Sequence, residues 1–190
     1  GADLSLLNDL TLAVRVDQPG RIMMDFHTVS SLDGSPLPAA KVNAKGLQSR
    51  TSPNKFTYVT RRQYIDDAVF VAMVECDSRF VTTLADAVCN PRYPLSLGRR
   101  SCVPSEPLVV HSPSSAVWHA AAEELIGEIP WQKGRASEND KSIGSEVTLT
   151  ATIDDLEGED VVADVPVSFD PRRRGFQTRR VRHLWVTLPT

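Results

Sequence analysis

Residues 30–55 form a long polar stretch, punctuated by Gly34, Pro36, Pro38, Gly46 and Pro53 and without a sustained apolar period. Inside a compact domain so long a connection is rare unless it is a functional loop or an extended hairpin. Its flanks point to the hairpin. Residues 21–29 read as extended, and residues 56–62 (FTYVTRR) are rich in β-forming side chains and supply the returning arm. The segment just before it supplies a strand to project from. Residues 11–17 alternate, with Leu12, Val14 and Val16 on one face and Thr11, Arg15 and Asp17 on the other, which reads as a half-buried antiparallel strand ended by Pro19-Gly20.

The rest of the chain adds strands and little helix. Residues 68–74 (AVFVAMV) are continuously apolar, the mark of a strand covered on both faces. Asp77 is placed to cap a helix with Phe80, Leu84 and Val88 along one side, ended by Pro91. Ser114 or Ser115 is placed to cap a second helix carrying Trp118, Ala122, Leu125 and Ile126. Residues 147–153, 161–169 and 181–188 read as strands. This order predicts an α+β fold with an antiparallel sheet. No run is long and apolar enough to span a bilayer, and no basic-then-apolar leader opens the chain. Cys76, Cys89 and Cys102 are too few for a disulfide scaffold and too far apart for a zinc knuckle, which fits a reducing cytoplasm. The chain opens on Gly1 rather than Met, which suggests trimming.

A net charge of −3 conceals a segregation. Residues 41–62 hold Lys41, Lys45, Arg50, Lys55, Arg61 and Arg62 and no acid. Residues 88–105 hold Arg92, Arg99 and Arg100, and residues 171–185 hold Arg172, Arg173, Arg174, Arg179, Arg180 and Arg182, again without a carboxylate. Together these stretches carry 15 of the 21 basic residues, whereas residues 123–170 set 13 acids against Lys133, Arg135 and Lys141. Gathered by a fold, the three basic segments make a face for a polyanion. Alternatively, the arginines are surface charge balanced by acidic neighbours in space. Charge alone leaves both readings open.

Within the second basic segment, Leu97-Gly98-Arg99-Arg100-Ser101 has a chemistry of its own. Glycine lets the backbone approach an anion, two guanidinium forks fit phosphate oxygens, and Ser101 adds a hydroxyl donor. Phe56 and Tyr58, beside the excursion, suit either stacking on unpaired bases or cross-strand packing. Enzyme signatures are scarce. His27, His111, His119 and His183 fall in no metal-ligand or nucleophile-elbow spacing, and the acids follow no calcium-loop spacing. His27 alone is kept, either as a general base on a ribose 2′-OH or as a structural residue at the foot of the hairpin, with no acid partner identifiable.

Taken together the blocks resemble a known family. Asp25-Phe26-His27-Thr28-Val29, then the basic excursion, then residues 62–70 (RQYIDDAVF), look like the signature of the CasD family, a subunit of the type I-E CRISPR interference complex called Cascade. Residues 90–102 (NPRYPLSLGRRSC) are similar to that family's most distinctive block, and the arginine-rich end leading to Trp185 also fits. The likeness runs from about Leu10, is clearest over residues 24–108 and is loose across the acidic interval. It implies a ferredoxin-like (RRM-like) core over residues 1–110, with the excursion as a β-hairpin thumb at about 30–60. A helix and a β-rich part ending in an arginine-rich strand would follow over residues 111–190. It also implies a noncatalytic role in the cytoplasm, without cofactor, metal or membrane: gripping the 5′ handle of crRNA, capping the filament of backbone subunit CasC, contacting the large subunit CasA and so supporting target DNA recognition. Family members begin with a core strand and helix ahead of the segment matching residues 10–17. Neither is present here, so the expectation is a trimmed start that leaves core strands without a neighbour.

The residues expected to meet RNA are Lys41, Lys45, Arg50, Lys55, Arg61 and Arg62 of the excursion, with His27 and Tyr64 at its foot. To these are added Arg92, Tyr93, Gly98, Arg99, Arg100 and Ser101 of the second segment and Arg173 and Arg179 of the third. Two rivals stand beside this reading. One is a metal-independent endoribonuclease acting on precursor crRNA through His27 or Tyr64, against which counts the lack of a clear His-Lys-Tyr grouping. The other is a scaffold whose basic segments meet acidic protein surfaces.

Overall fold

The computed structural model describes residues 10–30, 41–42, 48–49, 57–98, 100–110, 117–134, 144–168, 170 and 173–190. In chain order these form β1 (Thr11–Gln18), β2 (Arg21–Ser30), β3 (Lys41–Val42), β4 (Gln48–Ser49), β5 (Thr57–Asp66) and β6 (Val69–Glu75). Helices α1 (Ser78–Cys89) and α2 (Ala122–Glu128) follow, then β7 (Glu146–Asp154), β8 (Asp160–Ser168) and β9 (Gly175–Pro189). Contacts divide the chain at the base of the hairpin, into Pro19–Ala68 and a larger unit of Gly1–Gln18 with Val69–Thr190.

The larger unit is an antiparallel five-stranded sheet in the order β6-β1-β7-β9-β8, an α+β arrangement of the ferredoxin-like class. Ala13, Val71, Met73, Ala151 and Ile153 line one face of it, and Ala122, Leu125 and Ile126 of α2 close over them with Ile129. The alternation in β1 is as expected, but its buried side is the opposite one. Ala13, Arg15 and Asp17 point into the core, while Leu12, Val14 and Val16 are only half-buried. The reason is the end of α2, whose last carbonyls need donors. Arg15 supplies them: Nη1 donates to the carbonyls of Ile126 at 2.6 Å and Ile129 at 2.7 Å, and Nη2 to that of Pro130 at 3.1 Å. Asp17 balances the charge, accepting from Arg15 Nε at 2.7 Å and Nη2 at 2.9 Å, and from the backbone of Gln132 at 2.7 Å.

Three other elements differ from expectation. Among the described strands β6 pairs with β1 alone and lies at a sheet edge, so its apolar run is buried at Val71 and Met73 but leaves Phe70 exposed rather than covered on both faces. Helix α2 starts at Ala122, where Glu75 Oε2 accepts the backbone N–H at 2.9 Å in place of a serine cap. Trp118 precedes it in a loop, donating Nε1 to the Val110 carbonyl at 2.8 Å, and Ser114 and Ser115 lie outside the described residues. Strand β9 begins at Gly175, six residues ahead of the expected start, because its arginine-rich first half pairs with β8. The Asp77 cap of α1 is as expected, with Oδ1 accepting from the Arg79 N–H at 2.9 Å.

The smaller unit is the hairpin. Strands β2 and β5 pair antiparallel from Arg21↔Asp66 to Ser30↔Thr57, and β3 pairs with β4. At its base Gly20 has φ +69°, and a Cβ there would stand 2.6 Å from the Asp66 carbonyl oxygen, so only glycine fits the turn.

Candidate nucleic-acid interface

Pairing in the hairpin sorts its side chains into two faces, because successive residues of a strand point to opposite sides. On one face Met23, Asp25, His27 and Val29 lie opposite Tyr64, Arg62, Thr60 and Tyr58. His27 Nε2 and Asp25 Oδ2 share a hydrogen bond of 2.5 Å, so the histidine does have an acid partner. The signal was available in the sequence: two residues apart on a strand means side by side on one face. Arg62 sits across from Asp25, and Thr60 Oγ1 donates to the His27 carbonyl at 3.4 Å. On the other face Arg61 lies over the Phe26 ring, 5.3 Å from its centroid. Lys41 is in β3; Lys45, Arg50 and Lys55 lie outside the described residues, as does Phe56.

The loop after α1 belongs to the larger unit. Leu97 donates its backbone N–H to the Cys102 carbonyl at 2.8 Å and so closes a tight turn. Within it Gly98 has φ +79°, in the left-handed region that favours glycine, and a Cβ would meet nothing within 4 Å. Glycine is therefore required by the backbone and not by crowding, and the surface above it is open. Arg100 and Ser101 are exposed on this turn, and Arg99 is outside the described residues. Arg92 stacks over the exposed ring of Tyr93, 5.6 Å from its centroid.

The third basic segment is arranged differently, because the acidic interval folds against it. Arg179 grips Asp164 with both ends of its fork, Nε to Oδ1 at 2.7 Å and Nη2 to Oδ2 at 2.8 Å, while Nη1 donates to Asp154. These bonds hold the Asp164 carboxyl below the usual range, against the opposing effect of burial, and raise Arg179. Arg182 bridges Asp155 and Glu123, each at 2.9 Å. A backbone hydrogen bond from Glu157, and then Arg182, lowers the Asp155 pKa. Arg180 Nε donates to the Gly158 carbonyl at 3.0 Å. Arg173 and Arg174 are exposed.

The two readings of the charge pattern thus apply to different places. Arg179 and Arg182 are balanced by carboxylates brought to them across strands, whereas among the described residues Arg61, Arg62, Arg92 and Arg100 take part in no ion pair. Unneutralised arginines beside aromatic rings, and an open glycine turn beside Arg100, are groups that take phosphate oxygens and stacked bases. Among the described residues no three His, Cys, Asp or Glu side chains are grouped to hold a metal, and no helix is long and apolar enough to cross a membrane.

A family model described as CRISPR-associated protein (Cas_Cas5) matches residues 2–182. A solved chain from a "CRISPR RNA-guided surveillance complex" is 31% identical with a TM-score of 0.70, over 100% of this chain and 73% of that one. A second structure, "Crystal structure of Cas protein", is 28% identical with a TM-score of 0.59, over 97% of this chain and 70% of that one. No curated protein matches.

Proposed function

We propose, from the premise that this chain belongs to the Cas5 family of CRISPR-associated proteins, that it is the noncatalytic CasD-type subunit of a type I-E surveillance complex. In this reading it grips the 5′ handle of crRNA, caps the filament of CasC-type backbone subunits, contacts the CasA-type large subunit and supports target DNA recognition in the cytoplasm. The supporting observation is the contrast among the arginines. Arg179 and Arg182 of β9 are occupied by Asp154, Asp164, Asp155 and Glu123, so their work is to hold the sheet. Those of the hairpin and the glycine turn are left for an anion: Arg61 and Arg62 on β5, and Arg92 and Arg100 after α1. Electrostatic capture of the RNA backbone then comes from these two elements, with Tyr93 and Phe26 offering rings to splayed bases.

The experiment is a salt titration of handle RNA binding by the full chain and by Arg62→Ala with Arg100→Ala. Each phosphate contact to a single strand adds about 0.7 to the slope of log affinity against log salt, so losing two flattens it by about 1.4. Unchanged affinity and slope overturn the assignment. One observation favours the endoribonuclease reading, namely the His27–Asp25 pair, which is suited to taking a proton from a 2′-OH. Precursor crRNA incubated with the chain in EDTA is expected to stay intact, and discrete handle-bearing products would overturn the noncatalytic role.

A further inference from the structure

One basic element takes no part in the RNA grip. Strand β9 pairs with β7 only from Val181 onward, and ahead of that residue its ladder is with β8 alone, as far as Ser168↔Gly175. A two-stranded ribbon about 20 Å long therefore overhangs the sheet, at about 3.3 Å per residue. Its return, residues 170–176 (DPRRRGF), sets three arginines against one acid. The Arg173 backbone N–H donates to the Asp170 carbonyl at 3.0 Å, and the side chains of Arg173 and Arg174 are exposed. Among the described residues neither enters an ion pair. Asp154 and Asp164 are already held by Arg179, Asp155 by Arg182 and Asp160 by His183. Phe176, next to this tip, is 50% exposed.

The chemistry of the ribbon narrows its partner. A bare edge invites a further strand, but β8 carries two register shifts and Pro166, which brings no N–H to a ladder, so strand addition is blunted. What remains at the tip is unneutralised guanidinium, which fits phosphate oxygens. Single strands are held by rings beside the cations, as in Arg61 over Phe26 and Arg92 over Tyr93, whereas among the described residues Arg173 and Arg174 lie over no ring. A ribbon with strands about 4.8 Å apart fits the major groove of B-form DNA, about 12 Å wide, while the A-form groove of an RNA duplex is too deep and narrow. We infer that the β8–β9 tip is a second nucleic-acid site, in which Arg173 and Arg174 hold backbone phosphates of double-stranded DNA and Phe176 makes an apolar contact in the groove. Arg173, expected on charge alone to meet RNA, belongs to this site instead. The site goes beyond the RNA grip and does not depend on it.

The test measures binding of the full chain to a short duplex DNA of mixed sequence and, separately, to handle RNA, each across a salt series. Arg173→Gln with Arg174→Gln is expected to weaken duplex binding roughly tenfold and to flatten its salt slope by about 1.8, two phosphate contacts at about 0.9 each. Handle RNA affinity of this pair stays within about twofold, which also reports that it folds. Arg173→Lys with Arg174→Lys keeps the charge and is expected to keep the slope, and Arg62→Ala with Arg100→Ala loses RNA affinity and leaves the duplex slope unchanged. A photo-crosslinking residue at Phe176 of the otherwise wild-type chain gives duplex DNA adducts, a readout independent of the glutamine pair. Absence of duplex binding by the wild-type chain at low salt, an unchanged slope in the glutamine pair, or RNA adducts alone at Phe176 overturns the site. Equal flattening of the duplex slope by the Arg62 and Arg100 pair overturns it too. Duplex binding that depends on Arg173 and Arg174 in a chain that binds no handle RNA upholds this site and sinks the RNA reading.

Discussion

Replacing Arg15 removes the ion that ties β1 to the end of α2. Its side chain is fully buried, and so is that of Asp17. Arg15→Met keeps most of the apolar stem but strips donors from three carbonyls and leaves the Asp17 carboxylate without its counter-charge, held only by the Gln132 N–H. Breaking a buried pair by removing one partner costs about 3–5 kcal/mol. In a chain of this size each kcal/mol moves Tm by about 2–4 °C, so the expected fall is about 6–20 °C. Calorimetric unfolding of the full chain reads it directly. Adding Asp17→Leu removes the orphaned charge and should recover part of the loss, the remainder being the three carbonyls left without donors and the Gln132 N–H left without its acceptor. A fall below about 2 °C for Arg15→Met alone would refute the idea that this pair clamps helix to sheet.

Asp164 is held below the ordinary carboxylate range chiefly by its hydrogen bonds from Arg179, so it stabilises the fold above the unfolded pKa of about 3.9, and that contribution vanishes as pH falls through the lower folded value. Asp164→Asn should therefore lose less stability than wild type in a melting series between about pH 5 and pH 2, and parallel acid profiles would contradict the pairing. Gly98→Ala forces an L residue into the left-handed region at roughly 1–2 kcal/mol, with no clash to relieve. The turn relieves that strain by opening locally, so handle affinity should fall by roughly 5–30-fold while the global unfolding transition falls by no more than about 2–8 °C, and unchanged binding would remove the turn from the interface.

Much of the fold was legible where local chemistry and tertiary context agree. Strands β1 and β7 alternate, β5 is rich in β-formers, and Asp77 caps α1 through its own backbone turn. Reading failed where a distant partner decides. Which face of β1 is buried depends on carbonyls more than a hundred residues away, and those carbonyls make Arg15 a core residue. The apolar run of β6 looks the same in a central and an edge strand, since neighbours and not composition determine coverage. The first half of β9 carries polar side chains that a period-two search passes over, and only pairing with β8 reveals it as strand.

The candidate interface divides similarly. The basic segments were visible as charge, and Gly98 as a turn residue, because both properties belong to the local chain. The occupation of Arg179 by Asp164 was not, since it comes from the β8–β9 register, which sets residues fifteen apart side by side. The His27–Asp25 contact lay within reach, through the simple rule that strand neighbours share a face at every second residue.

Ultraviolet crosslinking of the assembled ribonucleoprotein, followed by identification of RNA-bearing peptides, tests the grip most directly. Adducts from crRNA handle nucleotides to peptides containing Tyr58–Arg62 and Arg92–Arg100 are the predicted result. Adducts confined to β9, or an assembly that stays whole and RNA-free after nuclease, would contradict it.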